Sequence, residues 1–267
     1  MKKEYDMIFS LGANCSAAKQ LQHRGLRRYS LPFDWTYFTT EKALDAFMEG
    51  LKNNFADFLH FENMRVIPEE ELIGASKHKS LYEDTATRYR FIHHFPKNHT
   101  QAQYDDVVSL WRKRVQRFYH ELENSNDILI LLCSFLYIDD SYADRVLNCF
   151  ETLYPGKRFT LHMVNFCSPQ EEHKELEKIS IHRYVRTRHD YDFFHTSYEW
   201  GFLDDIALKS LPAKEKKFID CKALKRGWGI SLLPRLRTII CLSGYVFGLQ
   251  FSFSIGKFRQ IKEKGIG

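Results

Sequence analysis

The amino-acid sequence predicts an α/β protein: a three-layer α/β/α sandwich with a mostly parallel, Rossmann-like sheet, followed by a C-terminal appendage. Three observations predict it. Strand-like runs at 6–12, 89–95, 127–135, 157–166 and 179–187 alternate with stretches of helical period. Residues 127–135 (DILILLCSF) are almost continuously apolar, the pattern of a strand buried on both faces and so of a sheet with helices on each side. The 267 residues are 44% hydrophobic and 27% charged, enough for a sizeable core and incompatible with a disordered chain.

Taken in order, the first strand runs into Gly12-Ala13-Asn14-Cys15-Ser16, where a turn opens an amphipathic helix. A second helix is expected to start near Thr40. The polar stretch 63–87 reads as a lid or insertion. Between residues 100 and 124, Tyr104, Val108, Trp111, Val115, Phe118 and Leu122 recur at steps of four and three, marking one buried face of a long helix. Asp139-Asp140-Ser141 supply a cap and early acids for a helix that Pro155-Gly156 ends. After Lys209 the run Pro212-Ala213-Lys214-Glu215-Lys216-Lys217 marks a boundary, giving a catalytic-like domain over 1–210 and an appendage over 211–267. Residues 238–256 form a charge-free stretch of 19 residues between basic flanks. Gln250 and its glycines and serines favour an aromatic, partly helical hairpin, with peripheral attachment to a membrane surface as the alternative.

The same inventory excludes several functions. The six cysteines show neither zinc spacing nor a disulfide framework, so reduced thiols are expected. The first residues lack a secretory apolar run, which argues for a cytoplasmic protein. Neither a dinucleotide fingerprint nor a phosphate-binding loop is present, and no metal motif, so no cofactor and no metal are expected. The net charge of +5 is dispersed and carries no nucleic-acid motif.

Chemistry concentrates at three places. A cysteine at the start of a helix meets free N–H groups and the positive end of the macrodipole, both of which favour a thiolate, and the adjoining N–H groups can face an oxyanion. Cys15 is therefore the candidate nucleophile, against the plain alternative of a buried packing residue. Asp34, held in Leu31-Pro32-Phe33-Asp34-Trp35, either caps the helix near Thr40 or orients a histidine. His93 and His94 end a strand (YRFIHHFP); since strand side chains alternate, one of them should face the site. Arg114 and Arg117 flank the seam of the long helix and can reach a carboxylate or phosphate if they do not simply face solvent.

Ser10-Leu11-Gly12-x-Asn14-Cys15, then Leu26-Arg27 with Pro32-Phe33-Asp34-Trp35, then Phe91-x-His93-His94-x-Pro96 with Arg114 and Arg117, resemble the bacterial DUF1796 family, described as predicted papain-like cysteine peptidases. The resemblance covers roughly residues 5–210, and Tyr198-Glu199-Trp200-Gly201-x-x-Asp204 fits its end more loosely. It implies a papain-like α+β alternative for the fold, with the cysteine on a helix and the histidine on an antiparallel sheet. It also implies Cys15 as nucleophile, His94 or His93 as base, Asp34 as orienter, and Gly12 and Asn14 at the turn or oxyanion hole. Arg114, Arg117, Trp35 and Trp200 are then the expected substrate contacts. The expected function is a cysteine hydrolase or peptidase acting on a peptide or an anionic small molecule. The alternatives are a glycan-pathway transferase or a non-catalytic binder of a sugar phosphate or nucleotide sugar.

Overall fold

A computed structural model describes residues 2–12, 14–68, 79–96, 100–185 and 198–210, without the side chains of Asn14, Lys79, Ser80, His93 and Tyr198. The chain divides into two units, Met1–Lys209 and Ser210–Gly267. The expected appendage over 211–267, its segment 238–256 and part of the expected lid lie outside the described residues. Among the described residues no helix is long and apolar enough to cross a membrane.

The first unit is mixed α/β. Strands β1 (Lys3–Tyr5) and β2 (Met7–Ser10) are separated only by Asp6, whose carboxylate accepts the backbone amides of Asn126 and Asp127. Helix α1 (Asn14–His23) follows, then β3 (Thr36–Phe38), α2 (Lys42–Lys52), β4 (Met64–Val66), β5 (Lys79–Asp84) and β6 (Tyr89–Pro96). The long helix α3 (Gln101–Glu123), β7 (Asp127–Ser134), α4 (Asp140–Leu153), β8 (Arg158–Asn165), β9 (Glu172–Glu175), β10 (Ile179–Arg183) and β11 (Ile206–Leu208) complete it.

A five-stranded sheet has the order β2-β7-β8-β10-β9, with the first four strands parallel and β9 antiparallel at the edge. Its register pairs Met7 with Ile128 and Asp127 with Arg158. Both faces are covered. Phe9, Ile130 and Leu161 pack with Phe47 of α2, Trp111 and Phe118 of α3, and Phe150 of α4. Ile8, Leu129 and Leu131 pack on the other side with Ala17 and Leu21 of α1 and with Trp200 and Leu203. The apolar run 127–135 is thus the buried strand its pattern indicated, and it has a neighbour on each side.

The run at 89–95 departs from the expected parallel sheet. It is β6 of a second, antiparallel sheet ordered β3-β6-β5-β4. Two other strands of that sheet, β3 and β4, are three residues long, too short for periodicity to reveal. The polar stretch 63–87 supplies β4 and β5 rather than acting wholly as a lid. The antiparallel sheet gathers around Glu83, which draws Arg65, Arg88 and Arg90 within 3.5 Å.

One short segment connects the two sheets. In residues 31–35, Phe33 contacts the rings of Phe47, Phe55, Phe58, Tyr89 and Trp111 at 5.1–6.2 Å. The Pro32 carbonyl accepts the Trp111 indole N–H, and the Trp35 carbonyl accepts the Ile92 amide of β6. Asp34, 2% exposed, accepts Nε and Nη2 of Arg27 at 3.0 and 2.5 Å and the Leu31 amide at 2.8 Å. It caps no helix: α2 begins after Glu41 without a side-chain cap.

Two imidazoles lie under Phe202 on the neighbouring strands β8 and β10. His162 Nδ1 and His182 Nε2 are 3.0 Å apart, and the Phe202 ring stacks on both. Burial lowers His162 to about 3, helped by His182 and Lys3. Burial also lowers His182 to about 4, with Glu175 opposing and His173 adding to the shift.

Above about pH 6.5 both histidines are neutral whether the chain is folded or not, and the pair contributes fully. As the pH falls below that value the unfolded chain takes up protons that the folded pair refuses, and stability declines. The loss attributable to the pair between pH 7 and pH 4.5 is expected to be on the order of 5 kcal/mol, about half from each histidine. Urea unfolding at the two pH values should show a smaller loss in a His162→Phe, His182→Phe double variant than in the parent; equal losses would contradict the assignment. For Asp34→Asn, which leaves the Arg27 guanidinium uncompensated, a destabilisation of about 3 kcal/mol or more is expected. A change below about 1 kcal/mol in the same assay would show that the pair is not what holds the segment.

Candidate functional site

Gly12 and Cys15 build the first part of the site. Strand β2 ends at Ser10, and the chain turns through Gly12 at a φ of +109°, a conformation that side chains resist. A Cβ at Gly12 would lie 3.1 Å from both the Cys133 carbonyl oxygen and a Phe38 ring carbon, so the turn is pressed against β7 and β3. Helix α1 opens immediately afterwards with Cys15 in its first turn, as the sequence indicated. The Asn14 side chain lies outside the described residues.

Cys15 is 5% exposed, yet it joins neither apolar cluster among the described residues, unlike Cys133 of β7. Burial pushes its thiol up from the ordinary value, while Lys19 one turn along and the Cys15 amide pull it down. Burial prevails, so the thiol is held above its ordinary value and not below it as the helix end alone would suggest. Macrodipole effects of a few tenths to one kcal/mol cannot offset desolvation of a buried anion.

The second part comes from β6 and α3. Between β5 and β6 the register slips: Tyr82 pairs with Phe91 and Ser80 with Phe95, so two steps along β5 match four along β6. This irregularity falls on Ile92, His93 and His94 and replaces the simple alternation expected there; such bulges re-aim side chains. His94 Nε2 lies 3.4 Å from Nη1 of Arg114. An arginine can only donate, so in this long contact Nε2 stands on the accepting side. The His93 side chain lies outside the described residues.

Arg114 stands among charges. Burial lowers its guanidinium, with Asp34 opposing and Arg27 and Arg117 adding to the shift. Arg27 and Arg117 bracket one residue: Arg27 Nη2 donates to Ser30 Oγ and Arg117 Nη1 to the Ser30 carbonyl, both at 2.9 Å. Asp34, expected to cap a helix or orient a histidine, is instead bonded by Arg27 and the Leu31 amide. Burial pushes its carboxyl up, against the pull of Arg27, the Leu31 amide and Arg114. Sequence reasoning gave Arg27 no role. Its one signal was the Leu26-Arg27 block that carries part of the family resemblance.

The remaining expected contacts lie elsewhere. Trp200 is fully buried against Phe166 and Phe202 and is a core residue rather than a substrate contact. Trp35 is partly buried and joins β6 through its carbonyl. A small cleft among the described residues is lined by Asp6, Met7, Ile8, Leu26, Arg28, Tyr29, Leu31, Glu121 and Leu208, none of them a candidate site residue. Among the described residues no group of three histidine, cysteine or acidic side chains is placed to hold a metal ion.

A helix-borne cysteine beside a parallel strand and histidines on an antiparallel sheet invite comparison with known proteins. A curated protein of Acanthamoeba polyphaga mimivirus, described as uncharacterized, is 25% identical over 138 residues, covering 48% of this chain. The chain spans 62% of that relative's length. No solved structure matches. The model of one family, described as "Putative papain-like cysteine peptidase (DUF1796)", matches residues 6–168, which include β2, Cys15, the 31–35 segment, both histidines and Arg114. The chain belongs to the DUF1796 family.

Proposed function

We propose that this protein is a cysteine hydrolase of the peptidase type in which Cys15 is the nucleophile and a histidine of β6, His94 or His93, is its base. The observation that carries the reading is Cys15 itself: a buried thiol in the first turn of a helix, outside both apolar clusters, in a chain whose family is described as papain-like peptidases. Papain-like chemistry pairs a cysteine at a helix start with a histidine on an antiparallel sheet. Cys15 opens α1 and both histidines lie on β6 of the antiparallel sheet, and the family description supports the α+β alternative to the Rossmann-like reading.

The raised thiol gives the mechanism its form. A protonated Cys15 attacks poorly, so the proton must leave as the Sγ–carbon bond forms, accepted by an imidazole nitrogen. The charge that develops on the substrate oxygen then falls near the amides at the start of α1, beside Gly12 and Asn14. The same imidazole returns the proton to the leaving amine, and water hydrolyses the acyl-enzyme. Asp34 acts at one remove, by fixing Arg27 and through it the Ser30 turn.

A second reading, a non-catalytic binder of an anionic ligand, is favoured by the arginines around Ser30. Peptidyl epoxide labelling followed by mass spectrometry separates the two. The expected result is labelling at Cys15 alone, abolished in Cys15→Ala and slowed 10²- to 10⁴-fold in one of His93→Ala and His94→Ala. Equal labelling of several cysteines, or rates insensitive to both histidines, would remove the nucleophile and leave the binder.

A further inference from the structure

We infer that Arg114 is an anion-reading residue of this same site, selecting substrates that carry a carboxylate side chain close to the bond attacked. This rests on the hydrolase reading for its meaning, though not for its test. Three guanidinium groups, of Arg27, Arg114 and Arg117, gather where Asp34 is the buried carboxylate. Their situations differ. Arg27 is held by Asp34, and Arg117 donates to the Ser30 carbonyl and has Glu121 one helical turn further on. Arg114 makes no ion pair among the described residues; its hydrogen-bond contact is the long one to His94.

The cluster around Glu83 shows the contrast. There too three arginines meet one buried carboxylate, yet each lies within 3.5 Å of it, and Arg65 and Arg88 also keep about half of their side chains in water. Arg114 has neither compensation in full. A partly desolvated guanidinium is costly unless an anion meets it, and its fork of five donors suits a carboxylate in two-point contact. The flank of α3 that carries it is open to such a group, since Leu110, one turn earlier, is 52% exposed. The contact with His94 Nε2 sets the distance scale: an acidic side chain bound at Arg114 would sit beside the base proposed for the reaction.

Calorimetric titration of the Cys15→Ala protein with a tri-glutamate and a tri-glutamine peptide tests this without requiring turnover. Tri-glutamate is expected to bind at least tenfold more tightly, the advantage shrinking as salt rises and vanishing in a Cys15→Ala, Arg114→Gln double variant. Lys174→Gln, on the exposed face of β9, should leave it unchanged. Should Arg114→Gln fail to fold, Arg114→Lys keeps the charge and is expected to retain part of the preference. Equal affinity for the two peptides, or a preference unaffected at Arg114, would overturn the proposal. So would inorganic phosphate displacing tri-glutamate at a concentration well below the peptide's own dissociation constant, since the site would then read phosphate. Failure of Cys15 labelling, by contrast, would sink the hydrolase reading and leave this binding result standing.

Discussion

The Asp34 carboxylate is the constraint on which the rest of the molecule depends. An ionised group at 2% exposure is tolerated only if its charge is met, and here Arg27 and the Leu31 amide meet it at a single oxygen. That requirement fixes the turn from 27 to 34, and Phe33 is thereby driven into the ring cluster shared by α2, α3 and β6. Because the Trp35 carbonyl then takes the Ile92 amide, the antiparallel sheet is attached next to the residues where its register slips. One buried charge thus helps determine where His93 and His94 stand relative to α3 and Arg114.

The turn that carries Cys15 answers to a different constraint. Gly12 must be glycine because its φ is positive and because β7 and β3 crowd it, and the close approach delivers the cysteine to the first turn of α1. Close approach also means burial, and burial opposes ionisation. The fold therefore holds Cys15 as a protected thiol, which on the proposed reading needs a base at the moment of attack. Lys19 moderates the cost without reversing it.

Much of this was legible in the residues. The run 127–135 announced a doubly covered strand, the steps from Tyr104 to Leu122 announced α3, and Asp139 caps α4 by accepting the Ser141 amide as its position indicated. The family blocks, not periodicity, pointed to an antiparallel sheet for the histidines; hydrophobic alternation assigned 89–95 to the wrong sheet because it cannot tell which strands will pair. The slip at Ile92–His94 was invisible for a similar reason, since a bulge belongs to a pair of strands and not to either alone. Asp34 drew attention as a carboxylate among aromatics, but its partner was hidden: Arg27 approaches through a loop, where spacing says nothing about direction. Trp200 read as a substrate contact because its block is aromatic, and only the packing of Phe166 and Phe202 shows it to be core.

The pH dependence of Cys15 alkylation by iodoacetamide, followed residue by residue with mass spectrometry, tests the central claim most directly. A protected thiol that requires a base predicts an apparent pKa above the ordinary ~8.5 of a free cysteine, moving higher still in Lys19→Met. An apparent pKa well below that value would contradict the account, because Cys15 would then be a standing thiolate and the histidine a counter-ion instead of a base.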